Sequence, residues 1–217
     1  MTTPGYYYSH LSKMLVAVDC IIFALNQGRL NVLLVKRSFE PEKGKWSLIG
    51  GFVDENESVD VAARRVLRDL TGLDKVFIRQ LGTFGESGRD PGARVVSVAY
   101  FALLNIADVN QEVVRSHNAE WVDVESLPPL GFDHQEMIDR ALGVIRRKII
   151  TDSLAFNLLP ELFTLTQLQT LVETVTGREL DKRNFRKSIS ENPYIHPTDL
   201  IDKSSSKRGA RLFRFGQ

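Results

Sequence analysis

The fold is specified most clearly by the segment Gly51-Phe-Val-Asp-Glu-Asn-Glu-Ser-Val-Asp-Val-Ala-Ala-Arg-Arg-Val-Leu-Arg-Asp-Leu-Thr-Gly-Leu73. Between Ser58 and Leu70, its apolar residues recur at intervals of three and four positions, which is the pattern of an amphipathic helix with one buried face. Gly72 follows at the place where a glycine commonly ends a helix. The stretch therefore predicts a loop, a helix over residues 58–70 and a second loop. The predicted apolar face consists of Val59, Ala62, Ala63, Val66, Leu67 and Leu70.

The spacing of glycine, glutamate and arginine in this stretch resembles the Nudix box. That motif runs Gly, five residues, Glu, seven residues, Arg-Glu, an aliphatic residue, any residue, Glu-Glu, any residue, Gly and an aliphatic residue. The segment before it, Gly-Lys-Trp-Ser-Leu-Ile-Gly at residues 44–50, also resembles the usual entry to the box. In the family, the loop–helix–loop carries carboxylates that hold Mg²⁺ against a pyrophosphate. The positions that match in register are Gly51, Glu57, Arg65, Leu67, Gly72 and Leu73.

The sequence departs from the motif at the positions that supply metal ligands. Val66 stands in place of the glutamate after the arginine, and Asp69-Leu70 stands in place of the Glu-Glu pair. Valine and leucine offer no oxygen to a metal ion, so Glu57 and Asp69 remain, and Arg65 is expected to pair with one of them. Because charge stabilisation by the metal is a major part of this catalysis, we expect a domain that binds a ligand without hydrolysing it. No catalytic residue, metal ligand or cofactor is predicted, and the chain is expected not to be an enzyme.

The segments around the box alternate between strands and helices. Apolar runs at residues 14–25 and 30–37, joined by the turn Asn26-Gln-Gly-Arg29, predict a β-hairpin. A second helix is expected after Asp133, and the alternation is α/β in character. Further strands are predicted at residues 46–52, 76–84, 95–104 and 120–124.

The last third of the chain predicts short helices followed by a hairpin. Residues 155–163 predict one short helix broken by Pro160. A second helix is expected to begin at Thr166, whose spacing to Gln169 fits a capping box, and to end at Gly177. A third follows Asp181, a favourable N-cap, and two strands are expected at residues 194–201 and 210–215. Three helices followed by a hairpin form a winged helix-turn-helix arrangement.

The predicted fold class is α/β, a Nudix-like mixed-sheet α/β/α sandwich over residues 1–150 with a C-terminal winged helix-turn-helix domain over residues 151–217. The linker is expected near residues 150–153. The net charge also differs between the two ends of the chain. Residues 178–217 hold ten Lys or Arg and five Asp or Glu, a net charge of +5. The rest holds 28 − 10 = 18 basic and 27 − 5 = 22 acidic residues, a net −4. A basic terminal module on an acidic body favours binding to a polyanion.

The predicted third helix is suited to DNA. Phe185 and Ile189 are four positions apart and are expected to face inward, which leaves the basic residues outside. Lys and Arg neutralise phosphates, Arg and Asn can read base edges in the major groove, and the hairpin tip is expected to reach the backbone or minor groove nearby. An ordinary solvated helix is the alternative. The predicted DNA-binding residues are Lys182, Arg183, Asn184, Arg186 and Lys187 in the helix, and Lys207, Arg208 and Arg211 in the hairpin.

Composition favours a protein that works inside the cell. The single cysteine, Cys20, cannot form an internal disulfide, and four scattered histidines make no metal-ligand pattern. No apolar run approaches the roughly 20 residues that a membrane-spanning helix needs, and the N-terminal sequence does not resemble a signal peptide. We expect a cytoplasmic protein with no membrane partner.

Both halves together resemble the Nudix-related transcriptional regulators of the NrtR group, from about Leu15 to Phe215. Residues 89–100, 132–134, 163–169 and 184–187 resemble the arabinose-responsive AraR branch of Bacteroidetes most. The resemblance implies a homodimer on a palindromic double-stranded DNA operator, released by a small-molecule effector. The implied function is a transcriptional regulator, most simply a repressor of carbohydrate metabolism genes, that senses a pentose such as L-arabinose. The alternatives are a regulator of NAD metabolism that senses ADP-ribose or another NAD metabolite, a Mg²⁺-dependent Nudix hydrolase, and an adaptor that binds no DNA.

The resemblance also implies that the effector binds in the Nudix pocket. A neutral pentose needs paired donors and acceptors beside an apolar face, whereas ADP-ribose needs cations and N–H groups for its phosphates. The sequence offers groups of both kinds, so it leaves the two ligands open. An ordinary structural role is the alternative for each candidate: a core position, a residue after a helix cap or a loop ion pair. The candidate effector-binding residues are Lys36, Trp46, Glu57, Arg94 and His134.

Overall fold

The central sheet is mixed, as expected, in a computed structural model that describes residues 9–73, 76–150, 154–203 and 209–216. Its seven strands are β1 (Leu15–Asn26), β2 (Arg29–Lys36), β3 (Trp46–Ser47), β4 (Ile49–Phe52), β5 (Phe77–Phe84), β6 (Val95–Asn105) and β7 (Ala119–Asp123). β1 and β2 form the predicted hairpin, with Phe23 opposite Val32. β1 pairs with β6 in parallel and with β2 and β4 in antiparallel orientation.

Helices cover both faces of this sheet. α1 (Val59–Thr71) and α2 (Gln111–Ser116) pack on one face, and α3 (His134–Lys148) packs on the other. Successive side chains of a strand point to opposite faces, so Cys20 and Ile22 enter one core while Ile21 and Phe23 enter the other. Both sides of β1 are therefore buried, which explains its continuous apolar sequence.

The helix predicted over residues 58–70 is confirmed as α1. The side chain of Ser58 caps α1 by accepting a hydrogen bond from the backbone N–H of Val61 at 3.3 Å. Gly72 ends the helix in the left-handed conformation, with φ of 74°, which costs glycine little. The two residues that replace motif glutamates, Val66 and Leu70, are both buried against the sheet.

The C-terminal part has the predicted winged helix-turn-helix architecture. A 3₁₀ turn (Leu154–Asn157) precedes β8 (Phe163–Thr164), α4 (Leu165–Thr176), α5 (Lys182–Ser190), β9 (Ile195–Asp202) and β10 (Ala210–Phe215). The three strands pair in the order β8-β10-β9. None of the helices in the described ranges is long and apolar enough to cross a membrane.

Two local predictions in this part need correction. The short helix predicted over residues 155–163 is a 3₁₀ helix that ends at Asn157, and Phe163 already belongs to β8. Pro160 explains the early end, because a proline cannot donate to a helix and disfavours helical backbone before it. The capping box lies at Thr164 and Gln167, two residues earlier than predicted, with hydrogen bonds of 3.2 and 2.7 Å. Gln169 instead is buried and donates to the Leu180 carbonyl at 3.0 Å.

The two parts of the chain share one apolar core. The cluster beneath the sheet runs from Phe23 through Ile145 of α3 to Leu168 of α4. Polar contacts also join them, since Thr174 Oγ1 donates to the carbonyl of Gly28 at 3.1 Å. The domain boundary predicted at residues 150–151, with its linker, falls largely on residues 151–153, outside the described residues, and stays a prediction.

Candidate functional site

A cavity of about 370 Å³ opens beside β1 and β4. Gly50 and Gly51 bring bare backbone to its wall. A Cβ atom at Gly50 would lie 2.7 Å from the carbonyl oxygen of Val18 and still closer to Asp19 Oδ1, so this position cannot hold a side chain without displacing β1. The cavity is lined by Ala17, Asp19, Arg37, Phe39, Glu40, Pro41, Ser47, Leu48, Gly50, Gly51, Phe52, Arg89, Asp90, Val95, Phe132 and His134.

A buried ionic cluster forms part of the cavity wall. The guanidinium of Arg89 donates to both carboxylate oxygens of Asp133, at 2.6 and 2.8 Å, and lies 3.5 Å from Asp19 Oδ2. Ser97 Oγ donates to the same Asp19 oxygen at 2.5 Å. Only 5% of the Arg89 side chain is exposed. The charge of Arg89 is therefore already compensated by two carboxylates.

His134, the first residue of α3, is buried beside this cluster. Its Nδ1 accepts a hydrogen bond from the backbone N–H of Leu48 at 3.0 Å, so the neutral ring carries its proton on Nε2, which faces Asp19 Oδ1 at 3.6 Å. Burial lowers the pKa of His134; Asp19 and Asp133 oppose this effect, and Arg89 and Arg37 add to it. The ring is therefore neutral at physiological pH.

The neutral state of His134 predicts a pH effect on stability. The unfolded chain binds this proton near pH 6.5, whereas the lowered pKa keeps the folded ring neutral to a lower pH. Protons then favour the unfolded state, so the free energy of unfolding should fall by up to about 1.4 kcal/mol per pH unit below 6.5. In His134→Asn, whose side-chain oxygen can still accept from Leu48, urea unfolding between pH 7.5 and 5.5 should show a shallower decline. Exposed His117→Asn is the control, and equal slopes in all three proteins would contradict the prediction.

Arg37 lies between two aromatic rings at the rim of the cavity. Its guanidinium carbon is 4.5 Å from the ring centre of Phe39 and 4.9 Å from that of Phe132. Its Nε donates to the carbonyl of Pro41 at 2.8 Å. Phe132 adopts a left-handed backbone conformation with φ of 56°, which is uncommon for a bulky residue and is seen most at functional positions.

One of the five candidate effector-binding residues, His134, lines the cavity. Arg94 donates to the carbonyls of Glu86 and Val95, and Trp46 packs half-buried against the core. Lys36 is exposed beside neighbouring clefts. Glu57 does not line the cavity and is held by Arg65. Sequence reasoning did not name Asp19, Arg37, Arg89 or Phe132, although Arg89 and Phe132 lie in segments that carried the family resemblance.

Glu57 and Arg65 form the ion pair expected in the box. Arg65 Nη2 and Nε donate to the two Glu57 carboxylate oxygens at 2.5 and 3.1 Å. The hydrogen bond from Arg65 lowers the pKa of Glu57. Asp69 is half exposed and lies beside Arg68 instead. Across the described ranges, no three His, Cys, Asp or Glu side chains gather as metal ligands.

A basic surface covers the outer side of α5. The Asp181 side chain caps the helix by accepting from the backbone N–H of Asn184 at 2.8 Å. Phe185 and Ile189 are buried as predicted. Lys207 and Arg208 lie outside the described residues. The predicted DNA-binding residues that the structure describes are all exposed: Lys182, Arg183, Asn184, Arg186, Lys187 and Arg211.

Two family descriptions match successive parts of the chain. The NUDIX domain matches residues 13–141, and the NrtR DNA-binding winged helix domain matches residues 155–215. A relative from Acinetobacter baylyi, described as the ADPR responsive transcriptional repressor NtrR, is 37% identical over 214 residues, which cover 97% of this chain and 85% of that protein.

Solved structures agree with these matches. The Shewanella oneidensis NrtR complexed with a 27mer DNA has a TM-score of 0.84 and 30% identity, with 93% of each chain covered. The NUDIX domain of the same protein complexed with ADP ribose has a TM-score of 0.55 and 32% identity, with 64% of this chain and 94% of that one covered. With a Nudix domain followed by a winged helix in one chain, and with relatives that match over nearly its whole length, this protein belongs to the NrtR family.

Proposed function

We propose that this protein is a DNA-binding transcriptional repressor, not an enzyme, and that ADP-ribose bound in the cavity weakens its hold on DNA. The relatives named above respond to or bind ADP-ribose. We therefore propose ADP-ribose as the effector, in place of the L-arabinose and the AraR branch that the sequence resemblance favoured. The exposed basic side of α5 supports DNA contact, because cations at the surface can neutralise phosphates. We further propose a homodimer, whose paired α5 helices would match a palindromic operator.

The main support for this proposal is that α3 runs from the cavity to the winged-helix part of the chain. Its first residue, His134, lines the cavity, and its N-cap residue, Asp133, binds Arg89 in the cavity wall. Twelve residues later, about 18 Å along the helix, Arg146 donates to the carbonyl of Val175 in α4 at 3.1 Å and to Glu125 at 3.1 Å. A rigid helix that borders the cavity and contacts α4, which in turn packs against the basic helix α5, gives a physical route for coupling between the two sites.

The Arg146 contacts give a testable consequence. Arg146→Gln should bind DNA and ADP-ribose with near-normal affinity separately, but the effect of ADP-ribose on DNA affinity should shrink by roughly 0.5–2 kcal/mol. Fluorescence anisotropy of labelled DNA, with and without ligand, measures both affinities. Arg147→Gln, which removes the same charge from the next residue of α3 and is also exposed, is the control. Unchanged coupling in Arg146→Gln would remove this contact from the proposed route.

Hydrolysis is the second candidate, and its support is that Glu57 and Asp69 keep carboxylates at two positions of the box. Against it, Glu57 is held by Arg65, and Val66 and Leu70 supply buried hydrocarbon where the motif has glutamates. Incubation with ADP-ribose and Mg²⁺ should yield no AMP. Efficient AMP formation would contradict the proposal of a sensor that is not an enzyme.

The proposal itself is tested by a gel shift on DNA from upstream of the protein's own gene. ADP-ribose should release the DNA, with an affinity loss in the range of roughly 5- to 150-fold typical of coupled sites. L-arabinose and xylose should have no effect at the same concentrations. Release by a pentose but not by ADP-ribose would overturn the proposed effector and restore the first interpretation.

A further inference from the structure

Two arginines reach the cavity, and their charges are compensated differently. Arg89 is buried between Asp133 and Asp19, so its charge is already neutralised. Arg37, in contrast, has no carboxylate within ion-pair distance among residues 9–73, 76–150, 154–203 and 209–216. A cation without a counterion, at the wall of a cavity, is available to an anionic ligand.

The geometry of Arg37 fits it for this role. Only its Nε is used, by the carbonyl of Pro41, and within the described residues no hydrogen bond engages either terminal amino group. The rings of Phe39 and Phe132 flank the guanidinium plane and hold it at the cavity rim. A guanidinium with two free amino groups binds phosphate oxygens in a bidentate manner, which an ammonium cannot do.

The two flanking rings are placed at some cost. Phe39 is 63% exposed, although an aromatic ring gains from burial. Phe132 sits in the left-handed backbone region, which is unfavourable for its side chain. A role in orienting Arg37 and in bordering the ligand explains why both rings are held in these positions.

We propose that Arg37 is the residue by which the cavity selects a phosphorylated ligand, of the nucleoside diphosphate class, over a neutral sugar or nucleoside. This inference rests on the proposed function, because it assigns one group within the same effector site. It assigns phosphate recognition to a residue that was not among the candidate effector-binding residues, two of which, Lys36 and Arg94, are also cations.

Calorimetric titration of the full chain with ADP-ribose and with adenosine, its uncharged fragment, tests the assignment. Arg37→Gln should weaken ADP-ribose binding by roughly 10- to 150-fold and leave adenosine binding within about twofold. Arg37→Lys should fall between, because lysine keeps the charge and loses the fork. Lys36→Gln and Arg94→Gln are matched controls that remove a neighbouring charge and should change ADP-ribose affinity by less than about threefold. Circular dichroism checks that each variant is folded.

Salt dependence provides a second readout. ADP-ribose affinity of the unmodified protein should fall as ionic strength rises, and this fall should be smaller in Arg37→Gln, because one screened charge pair is missing. Equal ADP-ribose affinity in Arg37→Gln, or an equal loss for ADP-ribose and adenosine, would overturn the role of Arg37 while leaving the effector intact. A larger loss in Lys36→Gln or Arg94→Gln would do the same. Failure of the unmodified protein to bind ADP-ribose would overturn the proposed effector, and this inference with it.

Discussion

Replacing Arg183 and Arg186 together with alanine is expected to lower operator affinity by roughly 30-fold to 10⁴-fold, the largest effect on function that the structure suggests. The two residues are three positions apart, so they lie on the same side of α5. Both are exposed, whereas Phe185 and Ile189 hold the opposite side of the helix in the core. Each arginine that contacts a base edge is worth about 1–3 kcal/mol, and the pair therefore about 2–6 kcal/mol. Anisotropy at one fixed salt concentration measures the loss.

The matched control for this variant removes the same charge from the Nudix part. Arg64→Ala with Arg115→Ala lowers the net charge equally, and both side chains are exposed. This control should bind DNA within about threefold of the unmodified protein. ADP-ribose affinity should be unaltered in both variants. Operator affinity that stays unchanged in the Arg183 and Arg186 variant would take α5 out of the recognition role.

The largest effect on stability is expected at Arg89. Arg89→Met would leave Asp133 and Asp19 beside a hydrocarbon chain, without the guanidinium that both now contact. Removing one partner of a buried ion pair typically costs 3–5 kcal/mol, so the free energy of unfolding in urea should drop by about that amount. The double variant Arg89→Met with Asp133→Asn should recover part of the loss, because one of the stranded charges is gone.

Arg94→Met is the matched control for Arg89, since it removes an arginine from the same loop region. Arg94 contacts carbonyl oxygens at the surface, and exposed substitutions of this kind usually change stability by less than about 0.5 kcal/mol. A decrease of less than about 1 kcal/mol in the free energy of unfolding of Arg89→Met would show that the buried ionic cluster contributes little to stability.

The sequence predicted best those elements whose signals are local. The apolar spacing of α1, its end at Gly72 and the inward side of α5 depend on residues close together in the chain, and each prediction is confirmed. The capping box was predicted at the wrong threonine because the same Thr-x-x-Gln spacing occurs twice, at Thr164 and at Thr166. Burial of Gln169, which depends on the packing of distant residues, decides between them.

The cavity was harder to predict because its residues are distant in sequence. Asp19, Arg37, Arg89 and His134 come from a strand, two loops and a helix start, and the sheet topology brings them together. Sequence alone shows which residues are charged, but not which charges are already compensated. Lys36 and Arg37 are adjacent in the sequence, and only the fold distinguishes the exposed lysine from the arginine at the cavity wall.

The proposed coupling between the Nudix cavity and the winged helix must be reciprocal, and this reciprocity can be measured. If ADP-ribose weakens operator binding by some factor, the operator must weaken ADP-ribose binding by the same factor. The decisive measurement is the dissociation constant of ADP-ribose by titration calorimetry, first with the free protein and then with the protein saturated by operator DNA. We predict weaker binding to the DNA complex, by the factor found in the anisotropy experiment. Equal affinity for the free and the DNA-bound protein would show that the two sites are not coupled.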